Sequence, residues 1–142
     1  MPKRKESKKR FGDKGERFAI RLLERNGYKI IDKNFRKSFG EIDIIAIDPS
    51  ASSEQVHSKA FARGGQAGQD TTLVFVEVKT RTNDRYGLPE EAVTERKLRR
   101  IKKAGQAYVD LHKGLPVKKR IDVVSIIAKN GIVKSAKIIH VD

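Results

Sequence analysis

Apolar residues recur along this chain with two periods, and the change from one to the other marks its elements. Phe18, Ala19, Leu22 and Leu23 fall at helical spacing with Asn26-Gly27 as a C-terminal stop, which predicts a helix over about 12–26. From Tyr28 the pattern turns strand-like. YKIIDKNF covers 28–35, and after Gly40 the segment EIDIIAI runs to Asp48-Pro49, where proline stops the ladder. Residues 49–72, rich in Ser, Ala, Gly and Gln, have no usable period and read as a mobile loop. LVFVEVKT gives a third strand, most simply antiparallel to EIDIIAI. Pro89 opens a helical segment to His112, with Val93, Ile101, Ala104, Tyr108 and Leu111 on its inner stripe and Gly114 closing it. Two last strands, IDVVSIIA and IVKSAKII, are joined by Asn130-Gly131, a pair favoured in tight hairpins. The order α-β-β-β-α-β-β predicts an α/β fold, a mixed sheet with helices packed on it. A chain of 142 residues suits one domain, here 12–142 after a basic arm over 1–11.

The third strand raises a chemical question. In LVFVEVKTR, residues 73–81, Glu77 and Lys79 interrupt a run suited to a buried strand. Side chains alternate across a strand, so Glu41, Asp43, Ile45 and Ile47 should share one face, and Leu73, Phe75, Glu77 and Lys79 another. Matching apolar to apolar pairs Ile47 with Leu73 and Ile45 with Phe75, which sets Asp43 opposite Glu77 and Glu41 opposite Lys79. Facing carboxylates destabilise a sheet, and one of the two pKa values rises. A divalent cation reverses that penalty. Mg²⁺ commonly takes one or two carboxylates and leaves its other positions to water and substrate phosphate. Lys79 has the reach to hold or deprotonate a water, or to offset charge on a phosphate oxygen. The plainer alternative makes these residues paired surface groups on an edge strand, with Glu41 and Lys79 a weak cross-strand ion pair.

Charge favours the chemical reading. The chain carries a formal net charge of +14, a field that attracts polyanions, and nucleic acid is the obvious partner. Part of that charge lies in MPKRKESKKR, which reads as a disordered arm. More lies in RKLRRIKK, 96–103, basic except for Leu98 and Ile101 and with almost no acid to balance it. Arg81 and Arg85, just beyond the third strand, could hold the same phosphate backbone; such contacts position a substrate without reading its sequence. No sequence-reading motif is present, so recognition of backbone shape is expected, with branched or single-stranded DNA suited and DNA ahead of RNA. The absence of cysteine excludes disulfides, thiolate nucleophiles and cysteine zinc sites. His57, His112 and His140 have no ligand spacing to one another. No apolar run approaches the roughly 18 residues of a membrane span, and no signal-type stretch follows the basic start. A cytoplasmic protein without membrane contact is the expectation.

GEIDIIA at 40–46, LVFVEVKTR at 73–81, AVTERKLRRI at 92–101 and RIDVV at 120–124 resemble the YraN family of bacterial proteins over about 12–128. That family is assigned to the restriction-endonuclease-like PD-(D/E)XK superfamily, with similarity to archaeal Holliday-junction resolvases. The resemblance implies a three-layer α/β/α core and a Mg²⁺- or Mn²⁺-dependent DNA endonuclease. It implies Asp43 and Glu77 as metal ligands with the Val78 backbone carbonyl, and Lys79 as the residue that orients or activates water. Glu16 matches a helical acid that binds a second metal or positions water, and alternatively is a solvated carboxylate near a helix N-terminus. Lys97 and Arg100 occupy the positions where the motif turns basic residues toward the cleft. Ile42 stands where the superfamily has proline, which is not a ligand. The loop at 49–72 is longer than the family leads one to expect, and either is an insertion of no consequence or brings Lys59 and Arg63 near the substrate. Junction resolution would call for a homodimer with two active sites, and no dimer surface is legible. Competing readings are a non-catalytic nucleic-acid-binding accessory protein of the same fold, and a basic structural protein of a ribonucleoprotein particle.

Overall fold

The computed structural model describes residues 4–49, 71–83 and 93–142, with 4–11 described as backbone. Its elements run α1 (Arg4–Arg25), β1 (Lys29–Lys37), β2 (Gly40–Asp48), β3 (Thr72–Arg81), α2 (Glu95–Leu111), β4 (Lys118–Lys129) and β5 (Ile132–His140). The strands form one mixed sheet in chain order, antiparallel except for the parallel β3–β4 pair. Parallel neighbours need a crossover, and α2 lies within it. The β4–β5 hairpin turns at Asn130-Gly131 as expected, with both residues at positive φ, 53° and 77°.

The two helices cover opposite faces. Ala19 and Leu23 of α1 pack on Ile44, Ala46, Val74, Val76, Val124 and Ile126. Ile101, Ala104 and Tyr108 of α2 pack on Ile42, Ile45, Leu73, Phe75 and Ile121. Central β3 is therefore buried on both faces from Thr72 to Glu77, which explains why LVFV is apolar without alternation. Each of its fully buried residues Leu73, Val74 and Val76 stabilises the fold by about 1.5–3 kcal/mol.

Three boundaries differ from expectation. Helix α1 begins at Arg4, so most of the arm expected to be disordered is helical. Arg, Lys and Glu are good helix formers, and their charge signals a solvated face without opposing the helix. Helix α2 begins at Glu95, because the Thr94 hydroxyl caps it by accepting from the Lys97 N–H at 3.2 Å. Pro89 lies outside the described residues, and Val93 precedes the helix. The inner stripe ends at Tyr108, whose ring stacks on His112 at 4.0 Å, and Leu111 is left 62% exposed. The loop at 49–72 falls almost entirely outside the described residues, with Lys59 and Arg63. Among the described residues no helix is long and apolar enough to cross a membrane.

A polar cluster sits where β2 ends. The Arg120 guanidinium donates to Asp122 Oδ1 and Oδ2 at 2.7 and 2.9 Å and to Asp48 Oδ2 at 2.7 Å. The Tyr28 hydroxyl donates to Asp122 Oδ2 at 2.9 Å, and His140 Nδ1 lies 3.0 Å from Oδ1. Asp122 is completely buried and Asp48 nearly so. Burial and the Asp122 charge push the Tyr28 phenol up. Burial alone would lower the Arg120 pKa, but its bonds to Asp122 and Asp48 raise it. These carboxylates belong to the scaffold.

Candidate active site

Strands β2 and β3 stay paired from Asp48↔Thr72 to Ile44↔Val76 in the expected register, with Ile47 on Leu73 and Ile45 on Phe75. The ladder stops there. Asp43 fills the gap, its Oδ2 accepting from the Val78 N–H at 2.8 Å. A strand residue presents its N–H and C=O to the same neighbour, so the Val78 carbonyl faces the same gap.

The expected sharing of a face by Glu41 and Asp43 does not hold. Ile42 joins Ile45 in the core under α2, so the alternation slips at Asp43 and Glu41 turns outward to Arg36, 3.6 Å away. Asn34, between the Lys33↔Ile44 and Phe35↔Ile42 pairs, takes φ 54°, a left-handed conformation, while the register of β1 on β2 shifts between Ile30 and Asp32. Lys79 therefore has Glu77, not Glu41, as its acidic partner.

Glu77 is 4% exposed, an unusual place for a carboxylate. Two ammonium groups compensate. Lys79 Nζ lies 3.6 Å from Oε1, and Lys97 Nζ, from the first turn of α2, is in closer contact with the same oxygen. On the other side α1 comes close enough that a Cβ on Gly15 would stand 2.3 Å from the Thr80 hydroxyl oxygen. The lack of a side chain at Gly15 eases this approach, and it brings the next residue, Glu16, to the rim of a depression that Gly12, Asp43, Glu77, Lys79 and Thr80 also line.

The electrostatics follow from burial. Asp43 is pushed up to about 7 by desolvation, then by the Glu77 charge, with a smaller push from Glu16; the Val78 N–H works against the shift. Burial and the neighbouring Lys97 ammonium hold the Lys79 amine below its ordinary value, against the pull of Glu77. Burial would also lower Lys97, but its bond to Glu77 and that charge raise it. The two lysines are thus shifted in opposite directions. Such divergence among neighbouring titratable groups is characteristic of catalytic sites.

The predicted residues fall into three groups. Asp43, Glu77, Val78, Lys79 and Glu16 converge on one depression. Lys97, expected on the nucleic-acid path, does turn inward, but its ammonium is spent on Glu77. Arg100 lines a groove with Lys37, Glu41, Arg96 and Lys97, adjoining the depression through Lys97. Arg81 ends β3 beside Ile127, and Arg85 lies outside the described residues. Among the described residues no three His, Cys, Asp or Glu side chains form a metal-holding group. The role of Lys97 was missed because a helix-to-sheet contact leaves no mark on local spacing.

The model of the Uncharacterised protein family UPF0102 matches residues 15–126. A UPF0102 protein of Geobacter metallireducens is 42% identical over 118 residues, covering 83% of this chain and 80% of the relative. One of Syntrophomonas wolfei is 35% identical over 127 residues, covering 89% and 90%. One of Geobacter sulfurreducens is 42% identical over 115 residues, covering 81% and 73%.

Proposed function

The chain belongs to the UPF0102 family, and we propose that it is a divalent-metal-dependent DNA endonuclease with a restriction-endonuclease-like core of the PD-(D/E)XK type. The observation that carries this reading is the Asp43–Glu77 pair where β2 and β3 part, half-neutralised and bordered by a lysine of lowered pKa.

The residues fit a hard, oxygen-seeking cation. Asp43 and Glu77 offer carboxylate oxygens, the Val78 carbonyl faces the same gap, and the raised Asp43 pKa marks negative charge that its surroundings do not balance. These three groups would hold Mg²⁺ or Mn²⁺, and the metal would supply Lewis-acid stabilisation of charge on a scissile phosphate. Lys79, whose amine is held below its ordinary pKa by burial and the Lys97 ammonium, orients the attacking water. Lys97 pairs with Glu77 and offsets its charge in a buried place. Glu16 faces the same depression and orients solvent there. The groove beside Arg96 and Arg100 carries the DNA backbone to this point without reading its sequence.

A second reading, a non-catalytic nucleic-acid-binding accessory protein, draws on the seat of Lys97 on Glu77. Incubation with flap, splayed and four-way-junction DNA in Mg²⁺ or Mn²⁺ separates the two. The nuclease reading expects cleavage that falls at least about 100-fold in Asp43→Ala, Glu77→Ala and Lys79→Ala. Cleavage surviving in all three overturns the site. Binding that weakens steeply with salt, without cleavage of any substrate, establishes the accessory role.

A further inference from the structure

Outside the metal-ligand candidates, the least explained feature of the surface is an aromatic ring among cations. Phe39, in the β1–β2 turn, is 42% exposed, and it is the single aromatic among the exposed large hydrophobic residues of the described chain. It lines a depression with Ser38, Arg96, Arg99, Arg100 and Lys103, a lining with four cationic side chains and no acid. The four lie at i, i+3, i+4 and i+7 on α2, one face running roughly 10 Å along the axis.

The turn is held in place. A Cβ on Gly40 would stand 2.3 Å from the Arg100 carbonyl oxygen, so the backbone after Phe39 is seated directly on α2. A substitution there would push the turn and the helix apart. The backbone that carries the ring is therefore anchored beside the guanidinium groups. Arg96 and Arg100 also line the neighbouring groove that reaches Lys97, whose ammonium touches Glu77. One basic surface thus leads from Phe39 to the carboxylate pair.

We propose that Phe39 stacks against an unpaired base of a nucleic-acid strand whose phosphates lie on Arg96, Arg99, Arg100 and Lys103. A flat ring beside a cationic stripe is what a single strand needs, since every base has a π-face and every nucleotide a phosphate. A paired base keeps both faces inside the duplex and gains nothing from the ring. The surface therefore selects strands with unpaired nucleotides. This deepens the nucleic-acid part of the function proposed above and does not depend on cleavage.

The chain contains no tryptophan, so Phe39→Trp creates a lone indole reporter. In EDTA, where a metal-dependent activity is silent, titration with oligo(dT), oligo(rU) and an oligo(dA)·oligo(dT) duplex is expected to quench this indole by about half with a single strand and little with the duplex. Whichever single strand saturates at lower concentration identifies DNA or RNA as the source of the base. Phe39→Ala is expected to weaken single-strand binding about 10-fold and duplex binding less than about twofold, by anisotropy. Arg99→Ala with Lys103→Ala lowers both affinities and flattens the salt dependence. Indole emission unchanged at saturating strand, or equal loss on both substrates in Phe39→Ala, overturns the assignment. A protein that stacks the strand and cuts nothing keeps this assignment and loses the nuclease reading; one that cuts, with Phe39→Ala binding unchanged, does the reverse.

Discussion

Two carboxylate pairs lie in one sheet, and they are neutralised in different ways. Asp48 and Asp122 share a single guanidinium, and Asp122 also receives the Tyr28 hydroxyl and lies 3.0 Å from His140 Nδ1. At the other pair Asp43 has a peptide N–H as its partner, while Lys79 and Lys97 both sit on Glu77. In the first pair, planar, fixed donors meet the buried oxygens. The second leaves one member pushed up to about 7, by burial first and the Glu77 charge second. Burial alone thus does not mark a functional acid; incomplete compensation does.

The difference has measurable consequences, of which the largest is in the scaffold. Asp122→Ala removes the buried acceptor of the Tyr28 hydroxyl and of two Arg120 bonds, leaving Arg120 with Asp48 and Tyr28, and should cost about 3–5 kcal/mol in urea unfolding. Equal losses from Asp122→Ala and Asp43→Ala would erase the distinction between the pairs.

The next effect has the opposite sign. A carboxyl whose folded pKa lies above its unfolded value binds its proton more tightly when folded. Its contribution to stability is present below the ordinary value of 3.8 and is lost as pH rises to about 7. Asp43→Asn, which keeps an acceptor for the Val78 N–H, should therefore stabilise the metal-free protein by about 2 kcal/mol at pH 8 and by almost nothing at pH 4. Thermal melts across that window check it, and a gain independent of pH would show that Asp43 is not the strained group.

The smallest effect separates the lysines. Lys97→Met leaves buried Glu77 with the more distant Lys79 and should cost about 1 kcal/mol, whereas Lys79→Met should cost less than about 0.5 kcal/mol in metal-free unfolding. The order should invert for cleavage, with Lys79→Met the more damaging.

How far these features were legible in sequence depends on their range. The register of β2 on β3 was readable, because only one alignment sets Ile47 on Leu73 and Ile45 on Phe75. That alignment brought Asp43 to Glu77. Glu41 was misplaced because alternation was assumed to persist, whereas Ile42 and Ile44 enter opposite cores and Glu41 faces Arg36. The α2 start was misjudged because Pro89 is a good first-turn residue, while Thr94 supplies the actual cap. The spacing of Arg96, Arg99, Arg100 and Lys103 was present in the chain, but nothing local reveals that Gly40 seats Phe39 beside them. Contacts set by two elements approaching in space were the ones hidden.

Mn²⁺ titrated calorimetrically into the protein at about pH 6.5, in buffers of different ionisation enthalpy, tests the Asp43–Glu77 pair most directly. Binding should release a proton from Asp43, whose pKa stands near the working pH, and should disappear in Asp43→Asn and Glu77→Gln. Mn²⁺ affinity unchanged within about twofold in both variants, or binding without proton release, would contradict the assignment of this pair as a metal site.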